Sequence, residues 1–241
     1  MLYLFDIDGT LVDTGGAGMK ALQEATCEVF GHEGPPLDLA GSTDLGIIAN
    51  IHAHFEIEPT PERIATYFEV YQGRLDWNLA HGNFPGRVFH GVSDLLEKLS
   101  QRPNATLGLL TGNTAGGAAS KMRHFGLAAY FPFGAYGCDH ADRNRLGPIA
   151  LERAAAHAGR NFVAEETLVI GDTPKDIALP MRSARNASPS PPASSPPPPS
   201  KPTARTRSWN RSIRRWLGSN WTHPSGSAPA IRNHLTLCLI F

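Results

Sequence analysis

The sequence predicts an α/β fold: a parallel sheet covered by helices, with a helical insertion soon after the first strand. Three observations predict it. The short apolar runs "LYLF" (2–5), "ATLGLL" (105–110) and the core of "ETLVIGDT" (166–173) each stop at polar residues, as strands buried on both faces do. Helix-like stretches separate them, and strands alternating with helices imply a parallel sheet with helices on its faces. Residues 15 to about 88 stay helix-like, with turns at "GPPLD" and "EPTPE", so that segment reads as an insertion and not as more sheet.

Taken in order, residues 2–5 form a buried strand bounded by Asp6. "TGGAGMKALQEATCEVFG" then reads as a Gly-rich hinge and an amphipathic helix, with Met19, Leu22, Ala25, Cys27 and Val29 roughly on one side. "GVSDLLEKLS" (91–100) is a helix leading into the strand at 105–110 and the turn "TGNT". "AGGAASKMRHFG" is a helix closed by Gly126, and "YFPFGAYG" a strand entering a loop. "GPIALERAAAHAG" is a helix with Pro148 near its start and Gly159 near its stop. After the strand in "ETLVIGDT", "DIALP" begins a helix that Pro180 should stop.

Composition narrows the setting. Cys27, Cys138 and Cys238 are isolated, so neither a disulfide framework nor a zinc site is indicated. "MLYLF" before an aspartate is too short for a signal peptide, and no apolar run is long enough to cross a bilayer. A cytoplasmic protein is expected, with no membrane partner. The net charge of zero hides a split: before residue 177 there are 22 acids and 13 bases, and after it nine bases and no acid. "SARNASPSPPASSPPPPSKPTART" is Pro/Ser-rich and cannot bury enough surface to offset chain entropy. Scattered arginines without a fold make no nucleic-acid site, so none is expected.

The chemistry follows from where strands end. In parallel α/β sheets, ligands sit beyond the carboxyl ends of the strands. Asp6 and Asp8 follow the first strand, Thr111, Gly112 and Asn113 the second, and Asp172 with Asp176 the last. Carboxylates gathered at one sheet edge repel each other unless a cation lies among them. Hard oxygen ligands with room for water and phosphate favour Mg²⁺.

"DIDGT", "LLTGN" and "VIGDTPKD", in that order with a helical insert after the first, resemble the haloacid dehalogenase superfamily, and most closely its phosphoglycolate-phosphatase-like branch. The resemblance covers roughly residues 1–180. It implies a Rossmann-like sheet core, residues 1–14 and 89–180, with an inserted helical cap at 15–88. It implies that Asp6 attacks phosphorus to form an aspartyl-phosphate, and that Asp8 acts as general acid and then base. Asp6, the Asp8 main-chain carbonyl and Asp172 would hold Mg²⁺, with Asp176 close by. Thr111 and the amides of Gly112 and Asn113 would bind the transferring phosphoryl oxygens. The family places a cation, usually lysine, before the helix that precedes the last of these strands. No lysine stands there; the spacing selects Arg143, with Arg145 as the alternative. A small phosphorylated metabolite is the implied substrate, and Asp8 favours phosphatase over dehalogenase, because a halide leaving group needs no proton. The oligomeric state is not indicated.

Other features read more plainly. "GGAG" at 15–18 lacks the Gly-Lys-Ser/Thr element of a phosphate loop and reads as a hinge. His52 and His54 have no third metal ligand and read as surface or cap histidines. "AGSTD" (40–44) reads either as a cap contact or as a helix start. Beyond Asp176 the family continues with a helix and a further strand, and residues 181–241 do not. Back-translated and read from the third base of the Met181 codon, residues 181–193 can become Ala-Leu-Gly-Ala-Gln-Arg-Val-Ala-Val-Ala-Thr-Gly, with serine codons giving apolar residues and proline codons small ones. The tail therefore reads as frame-shifted or disordered and outside the fold, which makes an impaired chain that at most binds phosphate the rival reading.

Overall fold

The computed structural model describes residues 1–39 and 41–172. Asp176, the helix expected at 176–180 and the 181–241 tail lie outside the described residues. Along the chain run β1 (Leu2–Phe5), β2 (Val12–Asp13), α1 (Ala17–Phe30), α2 (Asp44–His54), α3 (Pro61–His81) and β3 (Arg87–Val88). They are followed by α4 (Val92–Ser100), β4 (Thr106–Leu110), α5 (Ala115–His124), β5 (Gly134–Ala135), α6 (Leu146–Ala158) and β6 (Thr167–Ile170).

The sheet is parallel, in the order β5-β4-β1-β6. Side-chain alternation along its strands builds two cores. Leu2, Leu4, Leu110 and Val169 pack with Leu146, Ala150 and Ala154 of α6. Phe5, Leu107, Leu109 and Ile170 pack on the opposite face with Leu96 and Leu99 of α4 and Met122 of α5. Phe5 is level with both Leu109 and Ile170, so β1 and β6 finish together and β4 runs one residue further, to Leu110, and the residues that follow all three share one edge. Among the described residues β6 pairs only with β1. The strand expected in "YFPFGAYG" is reduced to two residues, Gly134–Ala135.

The insertion leaves and re-enters beside a two-stranded ribbon, in which Val12 pairs with Val88 and Asp13 with Arg87. Gly15 and Gly16 turn the chain with φ of +64° and +100°, a region L side chains rarely adopt. Helices α1–α3 have their own core of Ala21, Leu22, Ala25, Ile47, Ile48, Ile51, Tyr67, Tyr71 and Leu75. The buried face of α1 is Ala17, Gly18, Ala21, Leu22, Ala25 and Thr26. Of the apolar face expected, Leu22 and Ala25 are buried, whereas Met19 and Val29 are half-buried and Cys27 is exposed. The small residues Ala21 and Ala25 share one core with Tyr67, Tyr71 and Leu75, so α1 lies close against α3 there. His52 is a core residue, fully buried with Nδ1 against the Ile48 carbonyl oxygen. Among the described residues no helix is long and apolar enough to cross a membrane.

Candidate active site

Asp6, Thr111 and Asp172 follow the carboxyl ends of β1, β4 and β6, which share one edge of the sheet. The Asp6 amide donates to the Ile170 carbonyl at 2.9 Å, carrying the β1–β6 ladder one step past the strands. Asp6 is 6 % exposed. The Ile7 amide donates to its Oδ1 at 2.8 Å, and Arg143 Nη2 to its Oδ2 at 3.0 Å. Arg143 is itself buried, on a single 3-10 turn whose preceding Asp142 caps it through the Asn144 amide. A Cβ built on Gly112 would lie 3.1 Å from Arg143 Nη1. The guanidinium thus spans the space between Asp6 and the 111–113 turn, a fork suited to a phosphoryl group. Arg145 is exposed.

Thr111 is fully buried. Its Oγ1 accepts from the Asn113 amide at 3.3 Å and from Asn113 Nδ2 at 2.8 Å. The Asn113 amide, expected to face a phosphoryl oxygen, is therefore engaged by Thr111 here. Nδ2 also donates to Asp8 Oδ2 at 2.8 Å. Lys121 Nζ completes the group, 2.9 and 2.7 Å from the two Asp8 carboxylate oxygens and 2.6 Å from Asn113 Oδ1.

Asp172 approaches from β6. Thr10 Oγ1 donates to its Oδ1 at 3.5 Å, and a Cβ on Gly9 would sit on its carboxylate. Gly9 has φ +77°, so two independent constraints require glycine between Asp8 and Thr10. Among the described residues no three acidic, His or Cys side chains stand together as a metal cluster, and the Asp8 carboxylate is held by Lys121. The carboxylates of Asp6 and Asp172 and the Asp8 main chain remain as a hard-oxygen set at the strand ends. That donor chemistry fits a small hard cation that keeps part of its hydration. Asp176 lies outside the described residues.

The insertion docks on this site through α2. Thr43 caps α2, accepting from the Gly46 amide at 3.1 Å. The Asp44 amide donates to the Gly112 carbonyl at 2.7 Å, and its Oδ2 accepts from the Thr114 amide at 2.7 Å. The Ser42 carbonyl lies where a Cβ on Gly112 would be. "AGSTD" is thus both a helix start and a contact with the core. Asp44 is buried, which pushes its carboxyl up from 3.8 to about 6 against the opposing pull of the Lys121 ammonium and the Thr114 amide.

Lys121 escapes a sequence reading of single motifs, and Asp44 enters such a reading only as the end of "AGSTD" (40–44). The signal for Lys121 is its register: Gly117, Ala118, Lys121 and Met122 form the buried face of α5, so a charge occupies an apolar position.

The family model for haloacid dehalogenase-like hydrolases matches residues 3–188, and the chain belongs to that family. No curated protein sequence matches it. Solved structures show the same fold at low identity. A variant of CbbY from Rhodobacter sphaeroides in complex with xylulose-1,5-bisphosphate is 20 % identical with a TM-score of 0.57, covering 74 % of this chain and 80 % of that one. CbbY with phosphate is 18 % identical with a TM-score of 0.54, at the same coverage. A protein described as a predicted phosphoglycolate phosphatase, from Haemophilus somnus, is 19 % identical with a TM-score of 0.52, covering 74 % and 79 %.

Proposed function

We propose that this hydrolase cleaves small phosphate monoesters through a phosphoryl group carried on Asp6, with Mg²⁺ as cofactor. The observation that carries the reading is the buried Asp6–Arg143 pair facing the Thr111–Gly112 turn, with a second carboxylate, Asp8, two residues along. Asp6 Oδ attacks phosphorus while the bond to the ester oxygen breaks. The departing alkoxide takes a proton from Asp8. Asp8 then removes a proton from water, which attacks the phosphoryl group and frees Asp6. Arg143 and Thr111 hold the phosphoryl oxygens as their charge grows. Asp6, the Asp8 carbonyl and Asp172 would hold Mg²⁺, which when bound offsets the charge of carboxylates and phosphate.

Helices α1–α3 serve as the cap, and the Ser42–Asp44 segment over Gly112 gives it a place to close and exclude water. CbbY bound to phosphate and to xylulose-1,5-bisphosphate supports a small phosphorylated substrate; phosphoglycolate enters by resemblance. A cytoplasmic location belongs to the same reading. Dehalogenase activity is disfavoured by the accessible Asp8, since halide departure needs no acid. The acid-free, proline-rich sequence after Asp176 favours one rival, an impaired chain that binds phosphate without turning it over. Incubating the purified chain with a panel of phosphate esters and a haloacid, with Mg²⁺ or chelator, separates the readings. Metal-dependent phosphate release supports the proposal; halide release, or binding without release, defeats it.

A further inference from the structure

Lys121 is unlike a lysine on a helix surface. Its side chain is 4 % exposed, whereas that of its partner Asp8 is 46 % exposed. An ammonium has three donors, and the contacts within 3 Å are the two oxygens of Asp8 and Oδ1 of Asn113. Asn113 closes the ring by donating to Asp8 Oδ2 and Thr111 Oγ1. The lysine reaches Asp8 beside α1, where a Cβ on Gly18 would lie 3.5 Å from Nζ. A substrate can therefore reach Asp8 but not the lysine behind it.

We propose that Lys121 is the positioning residue of Asp8, fixing the acid's carboxyl group for the leaving-group oxygen. The inference rests on the phosphatase reading above. As the ester bond breaks, the electron pair leaves with the alkoxide oxygen and the proton of Asp8 follows it, so negative charge forms on the Asp8 carboxylate. An ammonium already aimed at both oxygens meets that charge without rearranging. Asn113 keeps the same carboxylate in register with the 111–113 turn. A lysine that merely anchored α5 would affect every substrate alike. One that serves the acid matters only when the leaving group needs a proton.

The test compares kcat/KM for an alkyl phosphate and for nitrophenyl phosphate, whose leaving group departs without help. Wild type, Lys121→Met, Lys121→Gln, Asp8→Asn and Asp6→Asn are assayed in Mg²⁺. General acid–base assistance contributes about 10²–10⁴-fold. Lys121→Met should lower the alkyl value by about 10²-fold and the aryl value by about tenfold or less, shifting their ratio in the direction that Asp8→Asn shifts it. Lys121→Gln, which keeps one donor, should fall between. Equal losses on both esters in both variants, including loss through misfolding, or an unaffected alkyl value, would overturn the proposal. Failure of the underlying reading looks different: wild type inactive on both esters, or Asp6→Asn as active as wild type.

Discussion

At the scale of single residues, the buried pair of Asp6 and Arg143 makes the sharpest demands. Both side chains are 9 % exposed, and removing one member of such a pair strands the other charge. Arg143→Met should destabilise the fold by about 3 kcal/mol, with part of the loss restored by Mg²⁺ beside Asp6. Arg143→Lys keeps the charge but not the fork, so kcat/KM should fall about tenfold with little change in melting temperature. Thermal unfolding with and without metal, together with initial rates, checks both statements. Gly9 is constrained twice over, by its φ of +77° and by the Asp172 carboxylate where a Cβ would go. Gly9→Ala should cost about 1–2 kcal/mol from backbone strain and weaken Mg²⁺ activation as Asp172 is displaced. A metal titration giving the wild-type half-saturation would contradict this.

At the scale of elements, the amino end of α2 is the contact between insertion and core, and its charge sets a pH dependence. Burial holds the Asp44 carboxyl at about 6 in the folded chain, against 3.8 when exposed. Below about pH 4 the group is protonated in both states and contributes nothing. Between pH 4 and 6 the unfolded chain ionises first, so stability is lost, reaching about 3 kcal/mol above pH 6. Asp44→Asn is neutral throughout and keeps an acceptor for the Thr114 amide. It should match wild type near pH 4 and exceed it by a growing margin towards pH 7, measured by urea unfolding at both values. A difference independent of pH would show that the Asp44 charge does not oppose docking. The elements themselves were legible to unequal degrees. β1, β4 and β6 are short apolar runs closed by polar residues, and they stand where such runs must. On α1, Leu22 and Ala25 lie on the buried face as the sequence suggests, whereas Ala17, Ala21 and Thr26 take the buried places expected of Met19 and Cys27. "YFPFGAYG" reads as a longer strand than the fold holds, because only Gly134–Ala135 pair with β4.

At the scale of the whole molecule, the site is divided among segments far apart in sequence, and this limits what a sequence can disclose. Asp6, Thr111 and Asp172 could be placed together, since strand ends in a parallel sheet share an edge. That Arg143 and not Arg145 reaches Asp6 depends on the pitch of one 3-10 turn. The Lys121–Asp8 contact spans 113 residues and depends on which face of α5 meets the core. The charge split at residue 177 bears on the same scale. Sequencing the gene across codons 176–185 should show a shifted reading frame. A chain carrying the alternative-frame segment after residue 180 should unfold at a higher temperature than the present one.

Phosphate ester cleavage as proposed requires a covalent step at Asp6. The most direct measurement is an acid quench of the purified chain during turnover of a phosphate ester in Mg²⁺, followed by peptide mass spectrometry. One phosphoryl group on the peptide containing Asp6, absent with chelator and absent in Asp6→Asn, is the predicted result. Turnover with no phosphoryl group on that peptide, or undiminished in Asp6→Asn, would contradict the account.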